Sequence, residues 1–372
     1  MKDLDAMDSM EKMLVQKAYQ RQAPVNGSLE LLPLCNMNCD MCYVRLSKAE
    51  MEQKGRLRTK EEWIRLAHQM KEAGTLFLLL TGGEPLLFPG FKEVYIELQK
   101  MGMILTINTN GTLINEEWAD FFAKNPPWRI NITLYGSDAN VYNNLCHYPE
   151  GFEKVLQGLK LLKDRDIDLK ISSSLTSINQ QQMKQMIAIG DSLQIPVRID
   201  TYMMPAIRER VHSFVQQVRL DPESAAERQL EALRIEFSDD TFDALIRKYV
   251  WEADHLLPDA HSLNHSSCYA GRCSFSVNWQ GKLRPCVIMA EPSADTFTLG
   301  FENAWQSVSR GIKEICLNRE CSQCSLRSLC KNCAAGAYLE TGQYDAKPDY
   351  ICRYTQKLYQ LMKQEVNVRL HA

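Results

Sequence analysis

The feature that most restricts how this chain folds is an alternation. Between about residues 25 and 235, short apolar runs are separated by longer stretches of helical period. The runs are "SLELLPL" (28–34), "TLFLLL" (75–80), "MILTIN" (103–108), "RINITLY" (129–135), "DLKISSSL" (168–175) and "PVRIDTY" (196–202). Between the first two, "TKEEWIRLAHQMKEAG" opens with Thr59 and places Glu62 three residues on, a capping-box pattern, and closes on Gly74. Six strand–helix units in series predict a parallel sheet with helices outside it. Right-handed crossovers curl such a sheet, and six units fall short of the eight that close a full barrel. The expected fold is therefore α/β, a partial, TIM-like (β/α)6 barrel over 28–235 with a helical lead-in at 1–27. Ligands of such folds sit at the carboxyl ends of the strands.

Beyond the barrel, "DPESAAERQLEALRIEF" and "SDDTFDALIRKYVW" read as helices, and 236–267 as a bridging helix and linker. The linker holds His255, His261 and His265 and reads as a solvated loop. Residues 268–372 are short on periodicity and rich in cysteine, which suggests a small domain organised by metal. A net charge of −3 lacks the basic excess of a nucleic-acid or membrane-surface binder. The apolar run "LFLLL" is far shorter than the ~20 residues that span a bilayer, and the first residues have no secretory h-region. The expected location is the cytoplasm, where thiols stay reduced. Of thirteen cysteines, three lie at 35–42 and nine between 268 and 352. Clustered cysteines in a reducing compartment read as metal ligands. Cys146 stands alone and reads as a packed thiol.

The triplet Cys35, Cys39 and Cys42 has the spacing Cys-x3-Cys-x2-Cys and directly follows the first apolar run. Three ligands are one too few for a structural zinc. A four-iron cluster held by three thiolates keeps one iron without a protein ligand, free for a substrate or cofactor. "TGGEPLL" (81–87) follows the second run, and its glycines permit a close backbone approach.

With these motifs the chain resembles the radical S-adenosylmethionine (SAM) superfamily. In that resemblance the triplet holds the catalytic 4Fe–4S cluster, and Gly82, Gly83, Glu84 and Pro85 seat the amino group of SAM. "TINTNGTLI" carries Asn108, Asn110 and Gly111 after strand three, with Asn110 among the SAM-site residues. Thr133 occupies the place of a ribose-contacting serine, and Ser173 is a second candidate. Met41 stands where the family often has an aromatic residue and packs on adenine. The implied reaction is reductive cleavage of SAM to methionine and a 5′-deoxyadenosyl radical, which removes a hydrogen atom from a substrate. A reductant such as flavodoxin or ferredoxin is implied as well.

On spacing alone, the array Cys321-x2-Cys324-x5-Cys330-x2-Cys333 fits iron–sulfur clusters and zinc equally. The resemblance to a SPASM domain, the auxiliary-cluster extension of peptide-modifying radical SAM enzymes, decides between them. It implies one auxiliary cluster on Cys268, Cys273, Cys286 and Cys333 and a second on Cys321, Cys324, Cys330 and Cys352. Cys273 follows Cys268 by five residues, which weakens its claim as fourth ligand. Cys316 is left over as a packed thiol.

The same resemblance implies a peptide or protein substrate, foremost in maturation of a ribosomally made peptide by crosslinking or epimerisation. One alternative is formylglycine formation in sulfatases, but Val287 stands where that branch has an acid. The others are haem or quinone cofactor maturation and a non-catalytic iron–sulfur or zinc scaffold. Only about 27 residues precede the first strand, so a leader peptide would be read by another surface, by a separate protein, or not at all. Arg208 and Arg210 are candidates to meet an acidic peptide.

Overall fold

A computed structural model describes residues 9–205, 209, 218–255 and 268–371. The apolar runs give six strands: β1 (Asn26–Glu30), β2 (Phe77–Thr81), β3 (Ile104–Thr109), β4 (Arg129–Thr133), β5 (Leu169–Ser174) and β6 (Val197–Asp200). They pair in sequence order and in parallel. β1 stops at Glu30, earlier than the run 28–34 suggests. Leu31 N–H still bonds the Thr81 carbonyl at 2.9 Å, but Pro33 has no N–H to continue the ladder.

Helices α1 (Ser9–Arg21), α2 (Lys48–Lys54), α3 (Lys60–Glu72), α4 (Phe91–Lys100), α5 (Glu116–Lys124), α6 (Ala139–Cys146), α7 (Gly151–Lys163) and α8 (Met183–Leu193) precede, connect or follow these strands. The Thr59–Glu62 capping box is formed: each side chain accepts from the other residue's backbone N–H. α3 then buries Trp63, Leu66, Ala67 and Met70, a stripe at the 3.6-residue period.

Among the described residues the sheet has nine strands, in the order β6-β5-β4-β3-β2-β1 and then β7 (Ser274–Val277), β8 (Lys282–Arg284) and β9 (Ala294–Asp295). β7 pairs in parallel with β1, and β8 and β9 follow antiparallel. A division at 268 therefore runs beside a sheet that is continuous across it. The remaining helices are α9 (Pro222–Glu236), α10 (Asp239–His255), α11 (Thr296–Leu299), α12 (Phe301–Gly311), α13 (Arg319–Ser322), α14 (Ala334–Thr341) and α15 (Asp349–His371). α15 packs on α9 and α10. Arg219 ties this part to α14 through an ion pair with Glu340 at 2.7 Å, and both side chains are almost wholly buried.

Strand residues alternate in exposure. Leu78, Leu80, Leu105, Ile107, Ile130, Ile132 and Ile171 form one fully buried row under the helices. The opposite row carries Thr106, Asn108, Asn131, Thr133, Ser172 and Ser174, all at least partly open to solvent. Side chains two apart on a strand share a face, so the inner surface of this partial barrel is polar and accessible.

Candidate functional site

The triplet lies in the loop between β1 and α2, at the carboxyl end of the sheet. The Gly82–Pro85 segment is fastened to the start of this loop. Gly83 N–H bonds the Leu32 carbonyl at 2.7 Å, and Glu84 N–H bonds the Leu34 carbonyl at 2.9 Å. The glycines allow this contact. A Cβ on Gly83 would lie 2.2 Å from the Leu34 oxygen, and one on Gly82 2.5 Å from the Leu32 oxygen. The close approach that these glycines permit in the protein alone is to the cysteine loop's own backbone.

The Glu84 side chain is fully buried. Its carboxylate accepts from Leu86 N–H at 3.1 Å, from the Thr109 hydroxyl at 2.8 Å and from Asn110 N–H at 2.8 Å. Burial outweighs these donors and pushes its carboxyl up to about 7. Asn110 extends the link to the cysteines. Its amide nitrogen donates to Asn36 Oδ1 at 2.9 Å and reaches Cys35 Sγ at 3.6 Å. Asn36 in turn donates to the Thr112 hydroxyl at 2.8 Å. Glu84 and Asn110 thus hold the ends of β2 and β3 against the loop. Asn36, Thr109 and Thr112 belong to this network although their sequence context did not single them out.

The other expected cofactor residues divide by face. Thr133 lies on the accessible inner row, with Asn131 and Asn108 joined beside it at 2.8 Å. Ser173 lies on the opposite row, is wholly buried, and donates to the Leu134 carbonyl at 2.6 Å. It faces away from any ligand on the inner surface, and Ser172 and Ser174 hold that side. Met41 is buried in the core alongside Cys39.

Two of the triplet sulfurs accept backbone hydrogen bonds. Cys35 accepts from Met37 N–H at 3.4 Å and Cys42 from Arg45 N–H at 3.3 Å, while the Cys146 thiol lies near Cys39. Burial and the Glu84 carboxylate push the Cys35 thiol up, and the Cys146 contact and burial push Cys39 up. The half-buried Tyr135 ring lies close to Cys39, Cys42 and Cys146. Three neighbouring thiols, two of them with backbone donors, fit a thiolate-held cluster, whose binding displaces their protons.

The second cysteine region forms two groups. Cys321, Cys324, Cys330 and Cys352 line one cavity of about 490 Å³, together with Asn332 and Lys347. Asn332 donates backbone N–H to Cys330 Sγ at 3.4 Å, and its amide reaches Cys321 Sγ at 3.7 Å. Cys268, Cys286 and Cys333 form the other group: Cys333 and Cys268 lie near enough to push Cys286 up, and Cys268 near enough to push Cys333 up, after burial in each case. Cys286 accepts from Met289 N–H and Cys333 from Gly336 N–H, both at 3.3 Å.

Cys273 lies beside Cys268, where the sheet begins. Its backbone carbonyl accepts from Asn26 N–H at 3.1 Å, at the amino end of the sheet. Its thiol packs among Val15, Ala18 and Val25, and burial, with Cys268 nearby, pushes it up to about 11. Among the described residues, no three His, Cys, Asp or Glu side chains converge on a single metal ion. Arg208, Arg210, His261 and His265 lie outside the described residues.

Residues 29–191 match the model of the Radical SAM superfamily. That segment matches as a radical SAM domain. A domain of this kind implies SAM and a 4Fe–4S cluster as cofactors and an enzymatic role. The chain is similar to an AdoMet-dependent heme synthase of Methanosarcina barkeri, 22% identical over 89% of this chain and 97% of that protein. It is also similar to a PqqA peptide cyclase of Bradyrhizobium diazoefficiens, 22% identical over 71% of this chain and 66% of that protein. Its fold matches the structure of anSMEcpe with bound AdoMet and Kp18Cys peptide, with a TM-score of 0.67 and 17% identity. That match covers 93% of this chain and 100% of the other, so it includes the Cys-rich extension as well as the barrel. The fold is the partial barrel with a SPASM-type extension. No described helix is long and apolar enough to cross a membrane.

Proposed function

We propose that this radical SAM enzyme cleaves SAM reductively and removes a hydrogen atom from a peptide or protein substrate, in the maturation of a ribosomally made peptide. The observation that carries the reading is the buttressed triplet beside a polar, accessible inner row. In this reading Cys35, Cys39 and Cys42 hold the catalytic cluster, which supplies the electron that breaks the sulfonium bond of SAM. The backbone of Gly82–Pro85 seats the amino group of SAM, and Thr133 meets its ribose. Glu84 and Asn110 act one step back, fixing the strand ends that carry these contacts. Met41 supports the adenine side from within the core.

Cys321, Cys324, Cys330 and Cys352 would hold one auxiliary cluster, and Cys268, Cys286 and Cys333 would supply three ligands of another. An external flavodoxin or ferredoxin would reduce them. The inner row of Asn108, Asn131, Thr133, Ser172 and Ser174 offers hydrogen bonds along a line, which suits the amides of an extended peptide. A second reading, haem maturation, is favoured by the archaeal heme synthase that this chain matches over 97% of its length.

One assay separates the two. The anaerobically reconstituted chain is given SAM and reductant, with candidate precursor peptides or with a haem-precursor porphyrin, and 5′-deoxyadenosine is counted. A rise with peptide supports the first reading. A rise with porphyrin alone transfers the assignment to the second. No 5′-deoxyadenosine under any condition overturns both.

A further inference from the structure

Asn110, Thr112 and Asn36 form a closed ring of side chains between the end of β3 and the cysteine loop. Asn110 and Thr112 are only 9% and 7% exposed. The Thr112 hydroxyl donates to Asn110 Oδ1 at 2.6 Å, and Thr112 N–H donates to the same oxygen at 3.0 Å. An amide oxygen has two lone pairs, so both are taken. Asn36 closes the ring. Its Nδ2 donates to the Thr112 hydroxyl at 2.8 Å, and its Oδ1 accepts from Asn110 Nδ2 at 2.9 Å. The Asn110 amide nitrogen carries two N–H groups. One is used on Asn36, and the other is directed to Cys35 Sγ at 3.6 Å.

The orientation of this amide decides what Cys35 meets. Turned over, Asn110 would present carbonyl lone pairs to the sulfur and set its N–H groups against the two Thr112 donors. Thr112 therefore fixes which end of the amide faces Cys35. We infer that Thr112 is a positioning residue that acts through Asn110: it holds the amide as an N–H donor to the Cys35 thiolate and so favours the reduced, more negative state of the cluster. Cys35 then has two donors, this amide and Met37 N–H. The inference rests on the triplet being the SAM-binding cluster site.

The test is a redox titration of the full reconstituted chain. It follows the reduced-cluster electron paramagnetic resonance signal that changes when SAM is added. Thr112→Val removes the hydroxyl and keeps the shape, while Thr112→Ser keeps the hydroxyl. The expected result is unchanged iron content, with the Val variant about fivefold harder to reduce, the scale of one hydrogen bond. For one electron at 59 mV per tenfold this is a shift of about 40 mV to more negative potential. The Ser variant is expected close to the wild type. Coinciding potentials for Val and wild type overturn the inference, as do equal shifts in Val and Ser or loss of the cluster in both. Where the Val variant alone fails to fold, the wild type decides. Asparagine isotope-labelled at its side-chain nitrogen should change the nitrogen coupling of the same signal in a pulsed measurement, and an unchanged coupling overturns the inference. A wild-type chain with no SAM-responsive signal removes the reading of the triplet itself, and this inference with it.

Discussion

Glu84 is a carboxylate shielded from water, with three donors arranged around it. Burial still wins and raises its carboxyl from an ordinary 4.5 to about 7. Between those values the folded chain binds a proton that the unfolded chain has released. Its contribution to stability is therefore most favourable below about pH 4.5 and declines as pH rises toward 7, by about 3 kcal/mol in all. Thermal unfolding of the cluster-free chain across this window should show the decline in wild type and a flatter profile in Glu84→Gln. Equal slopes in both would contradict the account. The motif around Glu84 is legible because its residues are adjacent in sequence. Its partners Thr109 and Asn110, and Asn36 beyond Asn110, come from two other segments, and sequence spacing carries no sign of such contacts. Ser173 illustrates a different limit. In "ISSSL" three serines run together, so no apolar–polar alternation marks which one faces inward, and a one-residue change of parity reverses the face.

The strand–helix alternation that predicts β1 to β6 is local, and so is the capping box that starts α3. β7 is not local. Its four residues become a strand because β1 offers a free edge, and pairing across that distance leaves no trace in a short window. α15 is a different case. Its buried Ile351, Tyr354, Leu358, Met362 and Val366 recur at helical spacing, yet Cys352 draws attention to metal ligation at the same place. The pairing of β7 has a chemical consequence. It places Cys273 at the amino end of the sheet, packed on α1 and beside Cys268. Cys273→Ala should therefore keep its iron content near the wild-type value, while Cys286→Ala should lose about four irons per chain, one cubane. Iron analysis of the two variants decides this. Equal losses would return Cys273 to the ligand set.

Across the whole molecule, the continuous sheet joins the Cys35–Cys42 loop to the extension. The buried Arg219–Glu340 pair and the packing of α15 on α9 and α10 fix the extension further. The three thiol groups are thus held in one framework. The triplet is bound to the ends of β2, β3 and α6, the four-thiol cavity lies against α15, and the third group extends to the start of α14. With all three groups loaded, the chain would carry about twelve irons. The central claim concerns the triplet: it alone should be needed for SAM cleavage to begin. The most direct measurement is 5′-deoxyadenosine formed from SAM by Cys39→Ala, set beside its iron content. The account predicts no 5′-deoxyadenosine, with the extension's iron still in place. Wild-type amounts of 5′-deoxyadenosine from that variant would contradict it.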